Sequence, residues 1–174
     1  MGRNISAGPG WRVLGHMALV ALVIGTSLTA SATERVTLSL VMAGAIGWSF
    51  VPLLQLLTGL FLIRGAEPGR RLALLDRYFA TGWPWALWIL VVHGTFVLWP
   101  WSRRFGHYEL AIAALVPILW TIKLLIEYCQ RELHLDAHRA RIRVVEHQAL
   151  TYSLFAAYVF FAVSLWPRVV GLFA

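Results

Sequence analysis

Five apolar runs, separated by short polar segments that carry arginine, dominate the chain: residues 13–29, 36–63, 79–101, 108–128 and 149–166. Backbone N–H and C=O groups in hydrocarbon must be paired within their own segment, so an apolar run of ~20 residues reads as a membrane-crossing helix. The pattern predicts an all-α, polytopic membrane helix bundle with five transmembrane helices in a single domain, 1–174. The second run is 28 residues long, more than a bilayer needs, which predicts tilt or a bend with Pro52 as the kink. Pro84 falls in a first helical turn, and Pro117 interrupts the fourth run.

The first run has a second reading. It follows Arg3 and Arg12 and ends at Ala30-Ser31-Ala32, the layout of a secretory signal peptide, which would leave four spans after loss of residues 1–32. Its apolar stretch is long for a signal, and a retained helix is the preferred expectation.

The polar segments differ in kind. Residues 64–77 (RGAEPGRRLALLDR) form a basic connector in which Leu72, Leu74 and Leu75 suggest a short interfacial helix. Residues 131–147 place Leu133, Ala137, Ala140 and Val144 at helical spacing among arginines and acids, which predicts an amphipathic cytoplasmic helix outside the hydrocarbon. Its Arg139 and Arg143 are then placed to meet anionic lipid headgroups. Ala21, Gly25 and Thr29 in the first run, and Ser39, Ala43 and Gly47 in the second, form small-residue stripes. Such stripes permit close helix contact, within one bundle or between two copies.

Composition changes the picture by exclusion. The chain is 59% hydrophobic and 13% charged, with nine Trp and nine Phe, which removes the water-soluble classes. A net charge of +7 invites a nucleic-acid reading. The arginines flank apolar runs instead, which is how membrane orientation is encoded, so nucleic acid is not an expected partner. With the N-terminus inside, ten arginines fall on the cytoplasmic side (Arg3, Arg12, Arg64, Arg70, Arg71, Arg77, Arg131, Arg139, Arg141, Arg143) and four outside (Arg35, Arg103, Arg104, Arg168). That bias predicts a multi-pass protein of an inner (plasma) membrane with its N-terminus cytoplasmic and its C-terminus external. A single cysteine, Cys129, excludes an internal disulfide, a CxxC redox pair and a four-thiolate metal site.

Four polar residues stand out as a candidate substrate or ion pathway. His93 lies deep within a run, whereas His16 sits near the end of one; a polar group at that depth is costly and invites a functional reading, with bonding to a hydroxyl or carbonyl as the structural alternative. Lys123 and Glu127 are spaced to pair on one helix face, either by snorkelling to the interface or, together with Gln55, by lining a polar cavity on the cytoplasmic side. His134 and His138 have the four-residue spacing of a metal pair, but no HExxH motif supplies further ligands, so they are weak candidates and no metal is expected.

No phosphate loop, nucleophile elbow or intramembrane acid pair is present, so no catalytic residues are assigned and no cofactor is expected. Abundant aromatic surface with few intramembrane polar groups points first to a non-enzymatic scaffold or accessory subunit of a larger membrane assembly. Its partners would be the bilayer with its anionic lipids and either another membrane protein or further copies of the chain. The alternatives are a small-molecule, lipid or ion carrier, and a membrane redox or metal protein built on His93.

Overall fold

A computed structural model describes residues 8–33, 35–98 and 107–165. Of these, 88% are helical and none is in a strand. Seven α-helices follow in order: α1 (Pro9–Thr33), α2 (Leu38–Gly47), α3 (Phe50–Leu62), α4 (Arg71–Ala80), α5 (Trp83–Leu98), α6 (His107–Glu132) and α7 (Ala137–Phe160). A 3-10 turn, Pro68–Arg70, leads into α4, and a π-helical turn, Phe161–Leu165, extends α7.

Among the described residues, three segments are long and apolar enough to cross a membrane: Gly10–Ala30, Leu38–Leu62 and Ile112–Glu132. The all-helical architecture stands, with these three as candidate membrane-spanning helices. The predicted loop at 102–107, except for the backbone of His107, lies outside the described residues, as do Arg3, Arg103, Arg104 and Arg168.

The second run breaks, though one turn before Pro52. α2 ends at Gly47 and α3 starts at Phe50, with Val51 N–H donating to Trp48 O at 3.1 Å. A proline has no N–H for the carbonyl four residues earlier, and its ring pushes that carbonyl aside. For Pro52 that residue is Trp48, so the break appears where the proline acts. Pro117, by contrast, sits buried inside an uninterrupted α6.

The amphipathic segment is also placed differently. Residues 131–147 are not a separate helix, because α6 runs on through Glu132 and α7 starts only at Ala137 and continues without a break through Phe160. His134, at φ 53, reverses the chain. Asp136 then caps α7, its carboxylate accepting from the backbone N–H groups of His138 and Arg139 at 3.0 and 2.9 Å. Those N–H bonds, that of Arg139 first, lower the Asp136 pKa. The predicted apolar stripe points into the bundle: Ala140 and Val144 are buried, Leu133 is half-buried and Ala137 is exposed.

The core lies at one end of the molecule, where helix ends meet. Val13 near the start of α1, Leu62 and Ile63 at the end of α3, Leu125, Tyr128 and Cys129 late in α6, and Ala140 and Val144 early in α7 pack around Leu74, Leu75, Tyr78 and Phe79 of α4. The predicted connector helix is thus real, but it is buried as a hub. The third run is divided accordingly, since Phe79 and Ala80 complete α4 and α5 begins at Trp83.

Farther along, α1 crosses α2 with backbones almost touching. A Cβ added at Gly25 would lie 2.3 Å from Ala45 N, and one at Gly44 would lie 2.4 Å from Thr29 Oγ1. The small stripes therefore serve contact within the chain. The face of the second run is Gly44 and Ala45, whereas a Cβ at Gly47 would meet nothing.

Candidate functional site

Three consecutive residues of α4 tie three directions of the bundle together. Asp76 pairs with Arg12 and His16 of α1 at 3.2 and 3.3 Å. Arg77 pairs with Glu132 of α6. Tyr78 Oη lies 3.1 Å from Thr58 Oγ1 of α3 and 2.9 Å from His147 Nε2 of α7. Gly59 makes room for the phenol ring, since a Cβ there would lie 2.6 Å from Tyr78 Cε1. The local proton directions follow from these bonds. Thr58 donates to Leu54 O at 3.0 Å, so its oxygen accepts from Tyr78, and Tyr78 in turn accepts from His147 Nε2–H. The Nδ1 of His147 is left as a bare acceptor. Burial pushes the Tyr78 pKa up to about 12 and that of His147 down to about 4, so both are neutral.

Beside this hub is a cavity of about 410 Å³, walled by α1, α3, α5, α6 and α7, by Tyr78 and Phe79 of α4, and by the Thr81-Gly82 turn and Trp48. Its wall is largely apolar: Val20, Ile24 and Leu28 of α1, Val51 and Leu54 of α3, Trp85, Ala86 and Ile89 of α5, and Phe155 of α7. A cavity of this size, mostly apolar with a few polar groups, is what a small-molecule site looks like. Four wall residues carry side-chain atoms that are buried without a hydrogen-bond partner: Gln55 Oε1, Trp88 Nε1, Thr121 Oγ1 and His147 Nδ1. Leaving such an atom unpaired costs about 1–3 kcal/mol each. None of the lining residues is Asp, Glu, Lys or Arg.

His93 and Gln55, from the predicted pathway, both line this cavity. The Nδ1–H of His93 donates to Ile89 O on its own helix at 2.9 Å, and its ring meets Phe96 edge-on. Lys123 and Glu127 do not join them. They pair with each other at 4.0 Å, with Glu127 also 3.8 Å from Arg131, and the Lys123 side chain is 75% exposed.

His134 and His138 do not share a helix face, because His134 is in the reversing turn and His138 is in the first turn of α7. Among the described residues no group of three or more His, Cys, Asp and Glu comes together to hold a metal. Arg139 is exposed and paired with Asp136 at 3.3 Å. Arg143 turns inward and donates to Leu62 O at 3.2 Å, so its guanidinium closes the end of α3.

Sequence reasoning missed His147, Tyr78, Trp88 and Thr121. His147 lies two residues before the fifth run, where surface contact is the default, yet it is 4% exposed. A usable signal was present. Ala140, Val144 and His147 follow one another at steps of four and three, which extends the buried stripe through the histidine.

The chain matches no protein-family model, no curated protein and no solved structure.

Proposed function

We propose that this chain is a five-span inner-membrane protein, N-terminus cytoplasmic, that binds a small apolar molecule in the cavity between its helices. The observation that carries the binding role is the cavity of about 410 Å³ between the helices, apolar but for a few neutral polar side chains, His93, Gln55 and Thr151 among them. Pockets of this size and make-up are the usual small-molecule sites.

Support for five spans comes from the helix ends. The start of α1, the end of α3, the end of α6 and the start of α7 all contribute to the core around α4, as an alternating path through a bilayer requires. α5 and residues 149–165 carry no Asp, Glu, Lys or Arg and measure ~24–26 Å at ~1.5 Å per residue, enough to cross with slight local thinning. α1 contributes Val13 to the core and Gly25 to the crossing with α2, which supports its retention.

The orientation is tested with Arg35→Cys and Arg141→Cys, both at exposed positions, while the native Cys129 is buried and silent. An impermeant thiol reagent should label position 35 and not 141 in intact cells. The opposite pattern inverts the topology.

Binding is tested by purifying the protein gently and extracting it with organic solvent for mass spectrometry. A near-stoichiometric small molecule is expected, and Ala86→Phe, which fills the cavity, should lose it. An empty extract, or one unchanged in the variant, refutes the reading.

A second reading, an accessory subunit, is favoured by the exposed Leu38, Met42 and Ile46 of α2 and Tyr152, Phe155 and Val159 of α7. Intact-particle mass spectrometry of the same preparation would reveal a protein partner or further copies.

A further inference from the structure

We infer that the cavity selects a neutral apolar molecule bearing a hydroxyl group, and that the hydroxyl donates its hydrogen bond to Nε2 of His93. The inference rests on the reading of the cavity as a ligand site and adds the chemistry of the ligand.

Three observations carry it. The first is charge. Among the described residues, the wall holds no side chain that would offset an ionised carboxylate, phosphate or amine. In apolar surroundings an unpaired charge is excluded far more strongly than a neutral polar group, so the ligand is uncharged.

The second is the tautomer of His93. A neutral imidazole has one N–H and one bare nitrogen, and the bond from Nδ1 to Ile89 O at 2.9 Å places the hydrogen on Nδ1. Nε2 is therefore an acceptor, and among the described residues no hydrogen-bond partner meets it. This ring is part of the cavity wall. A molecule that only accepts hydrogen bonds, such as an ether or a ketone, cannot satisfy it; an O–H can.

The third is what sets His93 apart from the other polar residues of the wall. The Nδ1 of His147, the Oε1 of Gln55, the Nε1 of Trp88 and the Thr121 hydroxyl are buried with no surface open to a ligand. His93 is not among these closed atoms, and its acceptor is fixed by its own helix, which makes it the site of recognition.

The probes are farnesol, its methyl ether and farnesoic acid, an alcohol, a capped alcohol and an anion on one apolar chain. Each is titrated into the full-length protein in lipid nanodiscs, with intrinsic tryptophan fluorescence as the readout and empty nanodiscs as the blank. The wild type should bind farnesol about tenfold more tightly than the ether, the difference expected for one buried acceptor left unpaired, and more tightly than the acid.

His93→Phe should bind alcohol and ether equally. His93→Gln, which keeps an acceptor near the Nε2 position, should restore the preference. Both variants are expected to fold, because the one hydrogen bond of His93 is made within α5. Equal binding of alcohol and ether by the wild type overturns the inference while leaving the cavity as a ligand site. Tighter binding of the acid, or an alcohol preference that survives in His93→Phe, also overturns it. Binding of none of the three, or binding unaffected by Ala86→Phe, overturns the reading on which it rests.

Discussion

The hub around α4 and the cavity beside it are built from the same residue types but differ in how their polar groups are met: at the hub the atoms without a hydrogen-bond partner, Asp76 Oδ1 and His16 Nδ1, face each other at 3.3 Å. At the hub Tyr78 bonds Thr58 and His147, the Tyr128 hydroxyl donates to Leu74 O at 3.0 Å, and Asp76 and Arg77 each meet opposite charge. At the cavity Gln55, Trp88 and Thr121 keep polar atoms without partners. A buried polar group that is paired helps to specify one packing, whereas an unpaired one is a cost the fold carries. The contrast separates residues that tie helices together from residues whose polar atoms the fold leaves unpaired. His147 belongs to both, with Nε2 committed to the hub and Nδ1 bare, and Tyr78, Phe79 and Leu125 of the hub also line the cavity.

The difference can be broken by substitution. Leu125→Ala, at a core position 1% exposed, should cost about 2–5 kcal/mol, read as a fall in unfolding midpoint in mild detergent. A cost below 1 kcal/mol would mean that the hub is not the stable end. Tyr78→Phe should cost about 1–3 kcal/mol, because it leaves Thr58 and His147 without their shared partner.

Acid should act through His147. The folded state holds its pKa down at about 4 against the usual 6.5. The neutral form is thus favoured by folding, and the stability it contributes is complete above about pH 6.5 and is lost as pH falls toward 4. His147→Gln keeps an amide near the Nε2 position and does not titrate, so its midpoint should be flatter over that window. An equal acid dependence in the variant would assign the effect to other groups.

Thr121→Val should be the smallest perturbation, within about 0.5 kcal/mol of wild type or slightly stabilising, since the hydroxyl it removes has no partner and the shape is kept.

Much of the helical pattern was legible in the sequence, because lipid leaves few ways to satisfy a backbone and apolar runs report them directly. The boundaries were less so. Proline acts four residues upstream of itself, which moved the break from Pro52 to Trp48. A polar segment and an apolar run can share one helix, which is why 131–147 was separated from the residues that α7 joins to it. Of the candidate pathway, Gln55 and His93 reached the cavity because a polar group within an apolar run has few places to go. Lys123 and Glu127 lie near the end of α6, where long side chains reach the interface on their own. The roles of Asp76, Arg77 and Tyr78 could not be read from their spacing. Adjacent positions on a helix point about 100° apart, and only the arrangement of α1, α3, α6 and α7 around α4 gives each a partner.

The most direct test of the account is to measure stability and retained small molecule together in Ala86→Phe and Tyr78→Phe. Ala86→Phe should unfold within about 1 kcal/mol of wild type, because the added ring enters open space, while the molecule extracted from it falls severalfold. Tyr78→Phe should lose about 1–3 kcal/mol of stability. An Ala86→Phe protein as unstable as Tyr78→Phe, with its bound molecule undiminished, would contradict the reading of a structural hub beside a ligand cavity.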